Sequence, residues 1–225
     1  MLDLPVRADP TRERNGLALY SVSRQENAVM NILILGASGQ IARPVIERLL
    51  ERPEVRLTLY SRHPNNLRHY DLSSHVRVVE GDVMDEDRLL KAMTGQDVVY
   101  ANLSGELEEQ AQEIVSAMKK CQVSRLIFIT SMGIYDEVPG ERYGTILDPY
   151  RGAAKVIEAS DLDFTLVRPA WLNDDNEVSY GTTRKGEPFK NPSQTVSRRS
   201  VADLVVKLAT TPGLESRQSL GVHKA

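Results

Sequence analysis

Short apolar runs alternate with longer periodic stretches from Met30 onward, and the alternation predicts strands separated by helices. Asn31–Leu35 reads as a buried strand running straight into a glycine. Gln40–Glu51 follows with helical spacing, placing Ile41, Val45, Ile46, Leu49 and Leu50 on one side; Pro44 falls in its first turn, where proline is tolerated. Strands are expected at Val55–Tyr60, Val76–Glu80, Asp97–Ala101, Arg125–Thr130 and Phe164–Val167. Helices are expected at Asp85–Met93 and Glu106–Cys121, both acidic at the start as the helix dipole favours. A further helix is expected at Asp148–Ser160, with Asp148 as N-cap and Pro149 at the first position, and a last one at Ser200–Ala209. Such alternation gives parallel strands joined by right-handed crossovers. The strands are apolar throughout, as in a sheet covered on both faces. The fold class is therefore α/β, a Rossmann doubly wound parallel sheet. Residues 171–200 lack strong periodicity and contain Gly181, Gly186, Pro188 and Pro192; their place after the sixth strand suits a small cap over a substrate.

Composition narrows the picture. The chain has 225 residues, 41% hydrophobic and 26% charged, enough for one domain with a substantial core. A net charge of −3 gives no support to a nucleic-acid or anionic-membrane partner. No apolar stretch approaches the roughly 20 residues of a membrane span. The single cysteine, Cys121, cannot form an intrachain disulfide and reads as a half-buried thiol; a reducing, cytoplasmic setting fits it. Residues 1–29 are polar and turn-rich, and read as an N-terminal extension or a flexible arm outside the domain of residues 30–225.

The chemistry starts at the first glycine. Gly36-x-x-Gly39-x-x-Ala42 follows a strand and opens a helix, the setting in which a glycine-rich turn binds a dinucleotide. Gly36 permits the tight turn, Gly39 lets the backbone approach a pyrophosphate, and Ala42 lets the helix pack closely on the sheet. The free N–H groups of the helix start attract the phosphate charge. NAD-preferring sites place Asp or Glu at the end of the second strand to hold the ribose hydroxyls. Here that end is Tyr60-Ser61-Arg62-His63, without an acid. Arg62 is suited to the 2′-phosphate of NADP through a charge-assisted hydrogen bond, with Arg43 in support. NADP is therefore the expected cofactor, NAD the alternative.

Taken with Glu80-Gly-Asp-Val83, Thr130-Ser131-Met132, Lys155 and Val167-Arg-Pro-Ala170, this turn resembles the atypical short-chain dehydrogenase/reductases, in particular the small NAD(P)-binding proteins similar to NmrA and to biliverdin reductase B. The resemblance covers about residues 30–210. It implies that Ser38, Gly39, Gln40 and Ile41 line the pyrophosphate and that Asp82 and Val83 meet the adenine. It also implies that Asn102, Leu103 and Ser104 border the nicotinamide-side ribose, that Lys155 hydrogen-bonds that ribose, and that Pro169 and Ala170 lie near the nicotinamide amide. Read by itself, Asp82 is equally a turn former after Gly81.

Catalytic residues are less defined. Many members of the wider family set a tyrosine acid four residues before the lysine, which lowers its pKa. That place holds Arg151. Tyr150 stands five residues before Lys155, about 140° away round a helix, so the two should not share a face. Ser131 keeps the serine position; it reads equally as a strand-end hydroxyl capping the backbone. The four histidines are scattered without metal-ligand spacing, and no metal is expected. Asp174-Asp175 could suggest a metal site but reads better as a solvated loop; Arg198-Arg199 could meet an anion or equally be surface charge before the last helix, the preferred reading.

Two function classes fit. One is an oxidoreductase that passes hydride from NADPH to a small carbonyl, quinone or flavin-like acceptor, with Ser131 and Lys155 at the reacting end. The other is a non-catalytic NAD(P) redox sensor, as the resemblance to NmrA-like proteins implies. The retained Ser131 and Lys155 favour the enzyme.

Overall fold

The computed structural model describes residues 29–225; the expected N-terminal arm lies outside the described residues but for its last position. The first half repeats one unit. β1 (Met30–Leu35), α1 (Ala42–Leu50), β2 (Val55–Ser61), β3 (Val76–Glu80), α2 (Glu86–Met93) and β4 (Val98–Ala101) follow in order. α3 (Leu107–Cys121), β5 (Arg125–Ile129), α4 (Asp148–Glu158) and β6 (Asp163–Pro169) continue the alternation. β7 (Leu172–Asn173), β8 (Gly181–Arg184), β9 (Val196–Ser197), α5 (Arg198–Thr210) and β10 (Gln218–His223) complete it.

The main sheet has the order β3-β2-β1-β4-β5-β6-β10-β8. Its pairings are parallel except that of β10 with β8. Alternate residues of β1 feed opposite cores. Ile32 and Ile34 join α1 and α5 on one face, while Leu33 and Leu35 join α2, α3 and α4 on the other. Burial of both faces explains the continuous apolar runs. The chain reverses direction across the sheet between β1 and β4, which leaves a crevice at their carboxyl ends.

Three differences from the sequence reading have physical causes. Asp148 is not a cap: a 3-10 turn at Gly144–Leu147 feeds directly into α4, so Asp148 is already helical and its carboxylate accepts from Arg151 at 2.9 Å. Residues 171–200 do more than cap, because β8 lies antiparallel against β10 at the edge of the main sheet and β7 pairs with β9. β10 itself, Gln-Ser-Leu-Gly-Val-His, has no run of apolar residues; it is buried because it lies between β6 and β8.

Candidate functional site

The glycine turn is locked to the strands on either side. Gly36 and Ala37 N–H donate to the Tyr60 carbonyl at 3.1 and 3.2 Å, Gly39 N–H donates to Gly36 O at 3.0 Å, and Asn102 N–H donates to Leu35 O at 2.9 Å. Gly36 has φ +75°, and a Cβ there would stand 2.2 Å from the Asn102 carbonyl oxygen. A Cβ on Gly39 would stand 2.2 Å from Asn102 Nδ2. Both glycines thus make room for Asn102 as well as for a ligand. Ser38 Oγ lies 3.1 Å from Ser61 Oγ, tying the turn to the end of β2.

Around this turn runs a cleft lined by Gly36, Ser38, Gly39, Arg62, Asp82, Val83, Asn102, Leu103 and Ser104, together with Tyr60, Ser61, His63, Gly81 and Gln110. It brings together residues from the carboxyl ends of four adjacent strands, β3-β2-β1-β4. Tyr60, fully buried, donates its hydroxyl to Asp82 O at 2.8 Å and packs against Gly81, where a Cβ would stand 2.2 Å from that hydroxyl oxygen. Burial first, then the nearby Asp85 and Asp82 carboxylates, pushes the Tyr60 pKa up to about 12, so the phenol remains a donor. Asp82 Oδ1 accepts from Met84 N–H at 3.0 Å, an Asx turn; Asp82 therefore both shapes the loop and lines the cleft. Arg62 is exposed on the rim, and no ion pair holds it among the described residues.

A second pocket adjoins the first, sharing Asn102 and Leu103. It is lined by Ile41, Ile129, Thr130, Ser131, Tyr150, Pro169, Ala170, Trp171, Leu172 and Arg198. Ser131 Oγ donates to Met132 O at 3.0 Å, so it caps the backbone while facing the pocket. Thr130 Oγ1 donates to Val167 O at 3.1 Å. Lys155 is exposed and lines neither cavity; Tyr150 is half-buried and lines the second. Arg151, where the wider family's tyrosine would stand, is a tether. Its guanidinium donates to Gly144 O at 2.6 Å and Ile134 O at 3.3 Å, fixing the loop between β5 and α4. Gln40, with Ser38, Gly39 and Arg43, lines a third basin toward Asp174, Asp175, Arg198 and Arg199. Among the described residues no group of three or more His, Cys, Asp or Glu side chains could hold a metal ion.

Lining residues not assigned to the site from sequence include Tyr60, Gln110, Ile129, Trp171 and Leu172. Only Trp171 carried a local signal, as a bulky aromatic directly after Arg168-Pro169-Ala170. The others come to the site through pairing of distant segments.

The glycine cradle, the cleft along the carboxyl ends of β3-β2-β1-β4 and the absence of an acid at the end of β2 fit a dinucleotide. A family model described as NAD(P)H-binding matches residues 36–212. The chain belongs to this NAD(P)H-binding family. It is similar to the solved structure of a Rossmann-fold NAD(P)-binding family protein from Shigella flexneri, with 40% identity, covering 87% of this chain and 94% of that one at a TM-score of 0.75. A short-chain dehydrogenase/reductase from Veillonella parvula, solved in complex with NADP, is 27% identical over 87% of this chain and 94% of that one, with a TM-score of 0.79. Among curated proteins, a (4-alkanoyl-5-oxo-2,5-dihydrofuran-3-yl)methyl phosphate reductase from Streptomyces griseus is 26% identical over 194 residues, 83% of this chain. The chain spans 65% of that relative's length. In the described residues no helix is long and apolar enough to cross a membrane.

Proposed function

We propose that the chain is an NADPH-dependent reductase of a small carbonyl, quinone or flavin-like acceptor. The observation that supports this reading is that the two neighbouring cavities share Asn102 and Leu103 in their walls. In this assignment Ser38, Gly39, Gln40 and Ile41 hold the pyrophosphate, assisted by the N-terminus of α1. Arg62 takes the 2′-phosphate and selects NADP over NAD. Asp82 and Val83 border the adenine; Asn102, Leu103 and Ser104 border the nicotinamide-side ribose; Pro169 and Ala170 meet the nicotinamide amide. Bound there, the dinucleotide supplies the hydride, since the cofactor carries that chemistry.

What the chain itself provides is orientation and a proton. The acceptor lies in the second pocket, between Trp171 and the apolar wall of Ile129, Leu103 and Leu172. Tyr150 donates the proton to the acceptor's oxygen, and the Ser131 hydroxyl, turned away from Met132 O, donates to the same oxygen. Lys155 is exposed and outside both cavities, so the assignment gives it no ribose contact and places the proton donor at Tyr150. The setting is the cytoplasm, as one free, half-buried thiol suits.

The test is steady-state NADPH oxidation with quinones, flavins and aldehydes, comparing wild type with Tyr150→Phe. General acid catalysis is worth about 10²–10⁴-fold, so Tyr150→Phe should lower turnover by at least about a hundredfold. Lys155→Ala should cost far less than Tyr150→Phe. Equal losses would return the lysine to the site. If wild type binds NADPH but reduces nothing, the redox-sensor reading replaces the enzyme. One observation favours that alternative: the Ser131 hydroxyl already donates to Met132 O.

A further inference from the structure

From sequence Arg198 could meet an anion or be surface charge, with surface charge preferred; the fold places it between two cavities. It lines the acceptor pocket with Ser131, Tyr150 and Trp171, and also the basin reached by Ser38, Gly39 and Gln40. Its side chain is 19% exposed, whereas that of its ion-pair partner Asp174 is 86% exposed. Only one arm of the guanidinium is engaged there: Nη1 donates to Asp174 Oδ1 at 2.8 Å. Nε is buried and has no hydrogen-bond partner among the described residues. A guanidinium offers a planar fork of donors that matches a carboxylate or phosphate, and a buried donor without an acceptor is costly. Arg198 is also the one charged side chain lining the acceptor pocket; the rest of that lining is apolar or neutral.

We infer that Arg198 anchors an anionic substituent, carboxylate or phosphate, on the molecule that occupies the acceptor pocket, and that Asp174 is an exposed latch which the anion displaces. The inference rests on reading that pocket as the acceptor site. The fork is largely withdrawn from solvent, while the exposed carboxylate is solvated and its attraction is largely screened. A ligand anion entering the pocket exchanges with Asp174 at the accessible end of the guanidinium. Trp171, 59% exposed, stands beside the same opening and offers a face to a planar ligand body.

Trp171 is the single tryptophan of the chain, so its fluorescence reports on this pocket. Benzoate, phenyl phosphate and neutral benzyl alcohol would be titrated into the full chain, with and without NADP⁺. The expected result is that an anion binds about tenfold or more tightly than benzyl alcohol, the range of a charge-assisted hydrogen bond. The stronger of benzoate and phenyl phosphate identifies the anion. Arg198→Met should abolish the preference, and Asp174→Asn should tighten anion binding about two- to fivefold, as loss of an exposed competing ion pair allows. Equal affinity for anions and benzyl alcohol, no binding of any probe, or an unchanged preference in Arg198→Met would overturn the inference. So would a fall in NADPH affinity in Arg198→Met, which would assign the arginine to the pyrophosphate. Should Arg198→Met fail to fold, Asp174→Asn decides, and unchanged or weaker anion binding overturns the proposal. Anion binding in a chain that does not oxidise NADPH would leave this site standing and remove the reductase reading.

Discussion

The two sides of the sheet are held together by different means. From β3 to β4 the strands meet through close backbone packing. Gly36, Gly39 and Gly81 admit Asn102 and Tyr60 at distances where a Cβ would force a neighbour to move. Beyond β5 the chain depends on long side chains that reach across distant segments. Arg168 of β6 is fully buried, pairs with Glu137, and donates to Ser219 Oγ at 3.1 Å and to the carbonyls of Ser219 and Thr183 at 3.3 and 3.4 Å. Glu137 in turn accepts from the N–H groups of Gly133 at 3.1 Å and Tyr135 at 2.9 Å. The Tyr135 hydroxyl donates to Glu158 at 2.7 Å, which also receives Lys185 at 2.8 Å. The nucleotide side is thus shaped by what is missing from its side chains, and the proposed acceptor side by a charge network centred on the buried Arg168–Glu137 pair. Breaking one of these should leave the other comparatively intact.

The largest effect is expected on the acceptor side. Arg168→Met leaves Glu137 buried and uncompensated, and breaking such a pair costs about 3–5 kcal/mol. Urea unfolding of the variant should show that loss. Adding Glu137→Leu should recover part of it, because an apolar pair of similar volume is often neutral. No recovery would mean that Glu137 is held by the Gly133 and Tyr135 N–H groups and not by the arginine. The contrast itself fails if Arg168→Met weakens NADPH binding as much as it weakens stability.

On the nucleotide side the two glycines should behave differently. At Gly36 the obstacle is a backbone carbonyl and φ is positive, so Gly36→Ala should cost stability, about 1–3 kcal/mol. At Gly39 the obstacle is the end of the Asn102 side chain, which can swing away. Gly39→Val should therefore fold yet lose NADPH affinity, since both its own bulk and the displaced Asn102 enter the cleft; overpacking of this kind costs about 1–3 kcal/mol. Calorimetric titration distinguishes the two. Unchanged NADPH affinity in folded Gly39→Val would remove this turn from the binding site.

The same contrast explains how far the sequence could be read. The strand–glycine–helix unit at 31–51 is contiguous, so periodicity and two glycines reveal its fold and its chemistry together. Arg62 and Asp82 follow strands whose apolar runs are plain, and the cleft collects both. The acceptor side has no such contiguity. β10 is a strand only because Leu220 and Val222 enter the gap beside β6, and nothing local in Gln-Ser-Leu-Gly-Val-His says so. Arg198 and Arg199 look alike in sequence; the pairing of β9 with β7 half-buries one and leaves the other exposed. The angle between Tyr150 and Lys155 was predictable from helix geometry, but which of the two would face a pocket was not. That depended on the 3-10 turn at Gly144–Leu147 and on the Arg151 tether.

A smaller effect should define cofactor choice. If Arg62 takes the 2′-phosphate, Arg62→Ala should weaken NADPH by about 1.5–3 kcal/mol, the worth of a hydrogen bond to a charged group, and spare NADH. Equal loss for both would show that Arg62 steadies the loop without selecting the cofactor.

The smallest effect concerns Tyr60, whose buried hydroxyl holds the loop at Gly81–Val83. Tyr60→Phe removes the donor to Asp82 O and should cost about 0.5–1.5 kcal/mol at neutral pH, the net worth of one hydrogen bond. The pH dependence gives a sharper signature. The folded phenol titrates near 12, above the ordinary value of 10, because burial and then the Asp85 and Asp82 charges oppose its ionisation. A group whose folded pKa is raised contributes stability that is present in full below the unfolded value and is lost as pH climbs through the folded one. Wild type should therefore lose stability between about pH 10 and 12 more steeply than Tyr60→Phe, and the difference between their urea midpoints should shrink across that window. Parallel curves would mean that Tyr60 ionises as freely in the fold as outside it. The loop at Gly81–Val83 would then be held by the Asp82 Asx turn alone, and NADPH affinity would be the same in both proteins.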